Sequence, residues 1–216
     1  MSRRLLRRFL RFFFSQLYHS FAWSYDIVAW MVSLGKWKEW VAVAADEITG
    51  PQVLELGHGP GHLQIILAEK GIKVVGIDSS CQMSRIATRN LQKADLENHL
   101  VRCRAEQLPF RDERFNQIVA TFPSEYIFNT DTLSEAYRVL YPGGTLVILP
   151  AAWITGEKLH ERFAAWLFDI TGQAPSPDAK MLQPFTEVGF SIEEKWLRKP
   201  NWKVFFILAR KPHPPT

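Results

Sequence analysis

A glycine-rich segment near the start of the second quarter of the chain has the residue types and spacing of a ligand-binding loop. An apolar run ends at Glu55, and Gly57, Gly59 and Gly61 follow at alternate positions. Residues 63–70 then have a helical pattern, so the segment predicts a buried strand, a tight loop and a helix. Glycines in such a loop allow positive φ angles and let the backbone approach a ligand without an intervening Cβ.

The spacing of the glycines excludes two common nucleotide-binding loops. A dinucleotide fingerprint that began at Gly57 would need its third glycine at position 62, where the sequence has His62. A phosphate-binding loop of the Walker type would need Gly-Lys-Ser/Thr, and this segment has no such sequence. His58 and His62 are four residues apart, but the Gly-Pro-Gly between them is not helical. We therefore predict no metal site.

An acidic residue at the end of a second predicted strand is a candidate for binding a nucleoside. The β-branched run 74–77 ends at Asp78, which is followed by Ser79 and by a helical pattern containing Met83. In doubly wound sheets a carboxylate at this point can accept hydrogen bonds from both ribose hydroxyls. Asp78 could instead cap the helix that begins near Ser80. We favour the ribose role because further motifs follow in order.

Five elements between about residues 50 and 150 resemble the motifs of class I S-adenosylmethionine-dependent methyltransferases. The first two are the E-x-G-x-G-x-G loop and the strand that ends at Asp78. Residues 104–110 resemble the family's "DAExLPF" turn, residues 115–121 its fourth strand, and residues 135–144 its "E-x-x-R-V-L-x-P-G-G" segment. Tyr25-Asp26 resembles a "YD" pair found before the core in the ubiquinone/menaquinone-biosynthesis-like group.

The resemblance implies a fold, a cofactor and a set of site residues. The fold is a Rossmann-like, doubly wound α/β sheet of seven strands, mostly parallel with an antiparallel last strand, plus an N-terminal helical extension. We expect residues 1–49 to form this extension or lid and residues 50–212 the S-adenosylmethionine-binding domain. The cofactor is S-adenosyl-L-methionine. The residues expected to contact it are Tyr25, Glu55, Gly57, His58, Gly59, Gly61, Asp78, Ser79, Met83, Ala105, Glu106, Thr121 and Phe122.

The hydrophobic pattern independently predicts alternating strands and helices. Strand-like runs lie near 52–56, 73–77, 100–103, 116–121 and 144–150, with helical patterns near 61–70, 81–92 and 131–140. Such alternation with short links predicts a parallel sheet with right-handed crossovers. Further helices are predicted at 21–34, 36–48 and 157–171, and the runs 190–196 and 204–210 predict a closing hairpin.

The basic charge of the chain belongs to one short segment. The sequence has 26 basic and 22 acidic residues; residues 1–25 hold five arginines and no acid, which leaves 21 basic against 22 acidic residues elsewhere. This distribution argues against a broad nucleic-acid-binding face. Residues 3–17 form a basic amphipathic pattern with bulky aromatics, typical of a helix lying in a membrane interface. The alternative is that its apolar face packs on this chain or on a partner chain, so an oligomer stays open.

Two cysteines, Cys81 and Cys103, predict a reducing compartment and no disulfide framework. We therefore expect a cytoplasmic protein, peripheral at a membrane if the first segment is an interfacial anchor. The aromatic-rich first 50 residues suit a hydrophobic or planar acceptor, so the expected partner is a small-molecule or lipid-like acceptor.

Methyl transfer to oxygen usually needs a base, and three residues are candidates: His58, Glu125 and Tyr126. The loop 121–126 has one proline and no preceding Asp or Asn, which argues against methylation of nucleic-acid bases. The main hypothesis is a methyltransferase acting on a small or lipophilic acceptor. The alternatives are an S-adenosylmethionine-binding protein without transferase activity, and an RNA or protein methyltransferase.

Overall fold

The computed structural model describes residues 35–155 and 179–214. Seven strands of these residues form one sheet in the order β3-β2-β1-β4-β5-β7-β6. The strands are β1 Gln52–Leu56, β2 Lys73–Asp78, β3 Leu100–Arg102, β4 Phe115–Thr121, β5 Leu140–Ile154, β6 Ser191–Lys199 and β7 Trp202–Arg210. The first five strands pair in parallel. Strand β7 is antiparallel to both of its neighbours, which confirms the predicted mostly parallel sheet with an antiparallel last strand.

Helices cover both faces of the sheet. They are α1 Trp37–Asp46, α2 His62–Glu69, α3 Cys81–Lys93, α4 Thr130–Val139 and α5 Ala179–Val188, with a 3-10 turn at Glu125–Phe128. Neighbouring residues of a strand point to opposite faces, and accordingly Val53 and Leu54 belong to two different apolar clusters. Burial on both faces explains the unbroken apolar runs in the sequence. No helix in the described residues has the length and apolarity needed to cross a bilayer.

Helix α1 packs tightly on one face of the sheet. Trp40, Ala44 and Ala45 are fully buried in the same cluster as Val119 of β4. The helix was predicted from the pattern at 36–48. The segment before residue 35, including the predicted helix at 21–34 and the basic amphipathic segment, lies outside the described residues, so a lid role for the extension stays a prediction.

The side chain of Gln117 joins the end of the α1 segment to the start of β4. Its Oε1 accepts hydrogen bonds from the backbone N–H of Thr49 at 2.7 Å and of Gly50 at 2.6 Å. Its Nε2 donates to the carbonyl of Glu47 at 3.0 Å. Helix α1 therefore runs away from the carboxyl ends of the parallel strands, and Trp37 at its first turn lies at that edge, beside Phe122.

Two elements differ from the sequence prediction. Helix α5 was not predicted, because Pro184 interrupts its pattern, yet Phe185 in this helix is fully buried in the core. Strand β5 begins at Leu140 and not near 144, because Gly143 and Gly144 continue the strand, with a register shift in the pairing to β4. The predicted helix at 157–171 lies outside the described residues.

Candidate functional site

The glycine-rich loop joins β1 to α2 and opens at the carboxyl edge of the sheet. Gly57, Gly59 and Gly61 have φ angles of 73°, 50° and 85°, a region that other residues rarely adopt. The N–H groups of Gly57 and His58 donate to the carbonyl of Ile77 at 2.8 and 3.0 Å, which holds the loop against the end of β2. A Cβ built on Gly59 meets no atom within 4 Å. The loop therefore borders open space where a ligand can approach the backbone.

Asp78 holds the loop from the adjacent strand. Its side chain is 6 % exposed; Oδ2 accepts from the N–H of Gly59 at 3.0 Å and Oδ1 from that of Ser80 at 2.8 Å. The cap of α3 is Ser80, whose Oγ accepts from the N–H of Met83 at 3.3 Å. Capping of α3 is thus performed by Ser80 and not by Asp78. A carboxylate oxygen with one donor keeps a second lone pair, so Asp78 can still accept hydroxyl hydrogens.

The two residues after Asp78 in the predicted site have different environments. Ser79 is exposed, and its carbonyl accepts from Nε of Arg102 at 3.3 Å, which links the ends of β2 and β3. Met83 is fully buried in α3. Met83 is thus part of the packing beneath the site.

Glu55 is a buried carboxyl group below the glycine loop. It is 1 % exposed, and its Oε2 accepts a 2.5 Å hydrogen bond from Nε2 of Gln64 on α2. Burial raises the pKa of Glu55 to about 8; the bond from Gln64 opposes this rise, and the negative charge of Asp78 adds to it. The acid that begins the motif is therefore mostly protonated near neutral pH. Gln64 was not predicted as a site residue, although a buried glutamine on an apolar helix was a usable signal.

His58 also faces inward. It is 3 % exposed, and its Nδ1 donates to the carbonyl of Gly59 at 2.8 Å. This bond leaves Nε2 as the acceptor nitrogen, and Nε2 has no hydrogen-bond partner among the described residues. Burial lowers the pKa of His58, so the ring is neutral. It packs over Gly76 of β2, where an added Cβ would come within 3.1 Å of the His58 Cβ.

The loop after β3 approaches the same edge. Ala105 is buried, and Glu106 forms an ion pair of 3.3 Å with the exposed Arg104. Burial tends to raise the pKa of Glu106, but a backbone hydrogen bond and Arg104 together lower it, so this carboxylate is ionised. Arg104 occupies the position where the family commonly has an acid, and here it neutralises the neighbouring acid.

Two residues of helix α4 hold that loop in place. Arg138 donates to both carboxylate oxygens of Glu135 at 2.7 and 2.8 Å, to the carbonyl of Leu108 at 3.1 Å and to that of Phe110 at 2.8 Å. The N–H of Leu108 donates back to Glu135 at 2.8 Å. Arg138 lowers the pKa of Glu135. The E-x-x-R spacing was visible in the sequence. That this pair binds a loop about 27 residues earlier could not be predicted from it.

An aromatic wall follows β4 at the carboxyl edge. Thr121 ends the strand, and Phe122 has a φ of 48°, a left-handed conformation that is uncommon for a bulky residue and often occurs at binding sites. The ring of Phe122 lies 4.3 Å from that of Trp37 and 6.0 Å from that of Trp40. Helix α1 thus contributes aromatic side chains beside the predicted site. We call Trp37 and Phe122, both partly exposed, the aromatic wall.

The two remaining base candidates lie in the 3-10 turn. The hydroxyl of Tyr126 donates to the carbonyl of Leu56 at 3.1 Å. Glu125 begins the turn and is exposed. Tyr25 lies outside the described residues, and its predicted cofactor contact stays a prediction.

These residues meet at the carboxyl ends of adjacent parallel strands, where ligands bind in open α/β sheets. The strands are in the order β2-β1-β4, so the acid of β2, the glycine loop and the wall after β4 border one region. Open space at Gly59 and an acceptor at Asp78 fit a nucleoside. The arrangement is that of an α/β domain whose open edge suits a nucleoside.

Comparison with known proteins identifies the family. Residues 53–144 match a methyltransferase domain family. Ubiquinone/menaquinone biosynthesis C-methyltransferase UbiE of Blochmanniella floridana is 30% identical over 186 residues, which cover 80% of this chain and 73% of that protein. Demethylmenaquinone methyltransferase of Thermus thermophilus is 34% identical over 131 residues, 58% of this chain and 60% of that protein.

A solved structure supports the fold. A Methanococcus maripaludis protein assigned as an S-adenosyl-L-methionine-dependent methyltransferase has a TM-score of 0.67 at 20% identity, covering 90% of this chain and 94% of that one. The chain belongs to the class I S-adenosylmethionine-dependent methyltransferases. Within that class it groups with the relatives of UbiE. It is thus an enzyme that transfers a methyl group from S-adenosylmethionine to a small or lipophilic acceptor.

Proposed function

We propose that the chain methylates a ring carbon of a quinol-like, lipophilic acceptor. The observation that carries this proposal is the aromatic wall of Trp37 and Phe122 at the carboxyl edge, with ring centroids 4.3 Å apart. Aromatic side chains suit a planar, apolar ring. The names of the relatives support the same class of acceptor: one is a C-methyltransferase of ubiquinone and menaquinone biosynthesis, and the other is a demethylmenaquinone methyltransferase.

We propose that the predicted site residues hold the cofactor. S-adenosylmethionine, when bound, supplies a methyl group on a cationic sulfur. The backbone at Gly57, Gly59 and Gly61 lets the ligand come close, and Asp78 accepts the ribose hydroxyls. Glu106 and Ala105 lie where the adenine edge is expected. The remaining proposed contacts are Tyr25, Glu55, His58, Ser79, Met83, Thr121 and Phe122.

We propose Glu125 as the group that takes the proton from the acceptor hydroxyl, since a phenolate makes the neighbouring ring carbon more nucleophilic. His58 is buried, including its Nε2, and the Tyr126 hydroxyl donates to the carbonyl of Leu56. Glu125 is exposed and forms no ion pair with another described residue. Of the three candidate bases, Glu125 is the one whose side chain is exposed and can be reached by an incoming acceptor.

The direct test is an assay with a water-soluble, short-chain quinol and labelled S-adenosylmethionine. The expected product is methylated at a ring carbon, as determined by mass spectrometry and NMR. Binding of S-adenosylmethionine with transfer only to phenol oxygens or to amines would reject the proposed acceptor while leaving the family assignment intact.

The role of Glu125 needs a matched variant. Glu125→Gln should lower kcat by roughly 100-fold or more, the usual contribution of a general base, with unchanged affinity for S-adenosylmethionine. Its remaining rate should rise with pH, as the acceptor ionises without help. The control is Glu193→Gln, another exposed carboxylate, far from the carboxyl edge on β6. Equal kinetics of the two variants would exclude Glu125 as the base.

We also propose that residues 3–17 form an interfacial anchor on the cytoplasmic side of a membrane. The support is the basic amphipathic pattern with Phe9, Phe13 and Phe14. Deletion of residues 1–17 should then reduce binding to anionic vesicles and leave S-adenosylmethionine affinity unchanged. If the segment instead packs on protein, the deletion should lower the melting temperature or dissociate an oligomer, with no effect on vesicle binding.

A further inference from the structure

The hairpin between β6 and β7 lies at the same end of the sheet as the proposed site. Trp202 pairs with Lys199 on one side and with Ile154, the last residue of β5, on the other. The N–H of Thr155 donates to the carbonyl of Asn201 at 2.9 Å. Because β5 ends at the carboxyl edge, the hairpin turn projects from that edge too. We call residues 195–203 the basic hairpin.

Acidic and basic residues lie in different halves of the edge strand β6. Its first half carries Glu193 and Glu194, whereas the basic hairpin has four basic residues, two tryptophans and no acid. Lys195 is paired with Glu47 at 2.8 Å. Arg198 is exposed, forms no ion pair with another described residue, and lies directly opposite Lys203.

Like charges directly opposite each other destabilise a strand pair. Charged side chains, lysine above all, protect an edge strand from pairing with another sheet, but this protection does not require like charges to lie directly opposite each other. An anionic partner at the carboxyl edge would explain both the segregation and the opposed pair.

Aromatic side chains accompany these cations on one face of the sheet. Trp196 is 38% exposed and is the one exposed large apolar side chain among the described residues. Its ring lies 5.2 Å from that of Trp153 and 4.8 Å from that of Phe205. Nζ of Lys203 lies over both tryptophan rings, at 5.4 Å from Trp153 and 5.1 Å from Trp196. Tryptophan beside lysine and arginine is the composition that favours the headgroup region of a bilayer.

We propose that the basic hairpin docks on an anionic membrane surface and turns the open edge of the site toward the bilayer. The inference deepens the proposed function and rests on it for one point, that the acceptor dissolves in the membrane. Each basic residue near an anionic surface strengthens binding roughly fivefold. The exposed tryptophan adds apolar contact at the interface. This surface lies outside residues 3–17 and acts independently of them.

The test compares two double variants of the full chain in sedimentation with phosphatidylcholine vesicles that contain phosphatidylglycerol. Arg198→Gln with Lys199→Gln should weaken binding roughly 25-fold, from two charges at about fivefold each. Lys73→Gln with Arg210→Gln removes the same charge from exposed positions at the opposite end of the sheet. This control should bind within about twofold of the unmodified protein. The N-terminal arginines are intact in every sample, so their contribution is common to all.

Two outcomes would overturn the inference. Equal weakening in both double variants would show that only net charge matters. Tighter binding of the unmodified protein to a short RNA than to the vesicles, lost in the hairpin variant, would assign the surface to nucleic acid. Turnover with the water-soluble quinol should be the same in all three proteins. Absence of turnover in all of them would reject the proposed acceptor, while the vesicle comparison would still decide the role of the hairpin.

Discussion

Tyr126 lies over Gly57 so closely that a Cβ built on the glycine would come within 2.7 Å of the phenol oxygen. The same hydroxyl donates to the carbonyl of Leu56 at 3.1 Å. The 3-10 turn after β4 thereby fixes the first glycine of the loop after β1. A side chain at position 57 would have to displace the tyrosine and break its hydrogen bond.

This relationship predicts a non-additive pair of substitutions. Gly57→Ala should lower the free energy of unfolding by about 2 kcal/mol or more, from the left-handed backbone and the displaced ring. Tyr126→Phe alone should cost about 1 kcal/mol for the lost hydrogen bond. The double variant should be no less stable than Gly57→Ala, because that substitution has already broken the bond. Urea denaturation measures all three, and simple addition of the two single effects would contradict the proposed contact.

Gly59 should affect ligand binding more than stability. An added Cβ meets nothing within 4 Å, so Gly59→Ala should cost only the strain of a positive φ, about 1 kcal/mol. Gly71→Ala is the matched control, with a φ of 74° and equally open space but a position at the opposite edge. Both variants should lose similar stability, whereas only Gly59→Ala should weaken S-adenosylmethionine binding in calorimetry. Unchanged affinity would place the cofactor away from this loop.

Substitutions of Asp78 and Ser80 should distinguish nucleoside binding from capping of helix α3. Asp78→Ala should weaken S-adenosylmethionine binding by about 1.5–3 kcal/mol, since a charged acceptor of hydroxyl hydrogen bonds is lost. Ser80→Ala removes the cap on the N–H of Met83 and should cost about 1 kcal/mol of stability. Its effect on cofactor affinity should be small. If both substitutions reduced affinity equally, the effect of Asp78 would be one of loop stability alone.

The sequence was sufficient to predict the backbone of the site, because that backbone is built from local patterns. The glycine loop and the strand that ends at Asp78 lie where periodicity and turn residues placed them, and the turn at 104–110 lies where the family resemblance placed it. The parallel pairing of β1 to β5 was predicted from the alternation of strands and helices. These features depend on residues that are close together along the chain.

Side-chain partners between distant segments were not predictable in this way. Nothing in the pattern indicated that Arg138 holds the carbonyls of Leu108 and Phe110. Nor did it indicate that the ring of His58 packs over Gly76, since a loop histidine would ordinarily face solvent. Both contacts are set by how neighbouring strands and helices pack, a property of the three-dimensional fold.

The Glu135–Arg138 pair should act as a clamp on the loop that precedes β4. Arg138→Met should lower the free energy of unfolding by about 1–3 kcal/mol, because two carbonyls and a carboxylate lose a donor. Arg138→Lys should recover only part of this loss, since an ammonium cannot form the bidentate bond. The hydrogen bond from Arg138 lowers the pKa of Glu135. Its stabilising effect is therefore present above the ordinary pKa of a glutamate and lost as pH falls through the lowered value.

Urea denaturation between pH 7 and pH 3 checks this clamp. The unmodified protein should lose its stability advantage over Arg138→Met in the acidic range. A constant difference between the two proteins across that range would contradict the contribution of ionised Glu135. Arg210→Met is a suitable control, because Arg210 is exposed at the end of β7 and forms no ion pair with a described residue.

The pKa of Glu55 is raised, whereas that of Glu135 is lowered, so the two carboxyl groups predict opposite dependences of stability on pH. The folded protein holds this proton up to a pKa of about 8, mainly because the carboxyl group is buried, whereas the unfolded chain releases it near 4.5. Stability from the neutral carboxyl is therefore complete below pH 4.5 and is lost progressively as pH rises to about 8.

Glu55→Gln keeps the size and neutrality of the side chain and does not titrate. Relative to the unmodified protein, this variant should become more stable by several kcal/mol between pH 5 and pH 9, and the gain should level off near pH 8. Glu69→Gln, at an exposed position at the end of α2, should show no such trend. If the two variants behaved alike across that range, Glu55 would have to be ionised in the folded protein, and the space below the glycine loop would have to contain a cation that balances its charge or water that hydrates it.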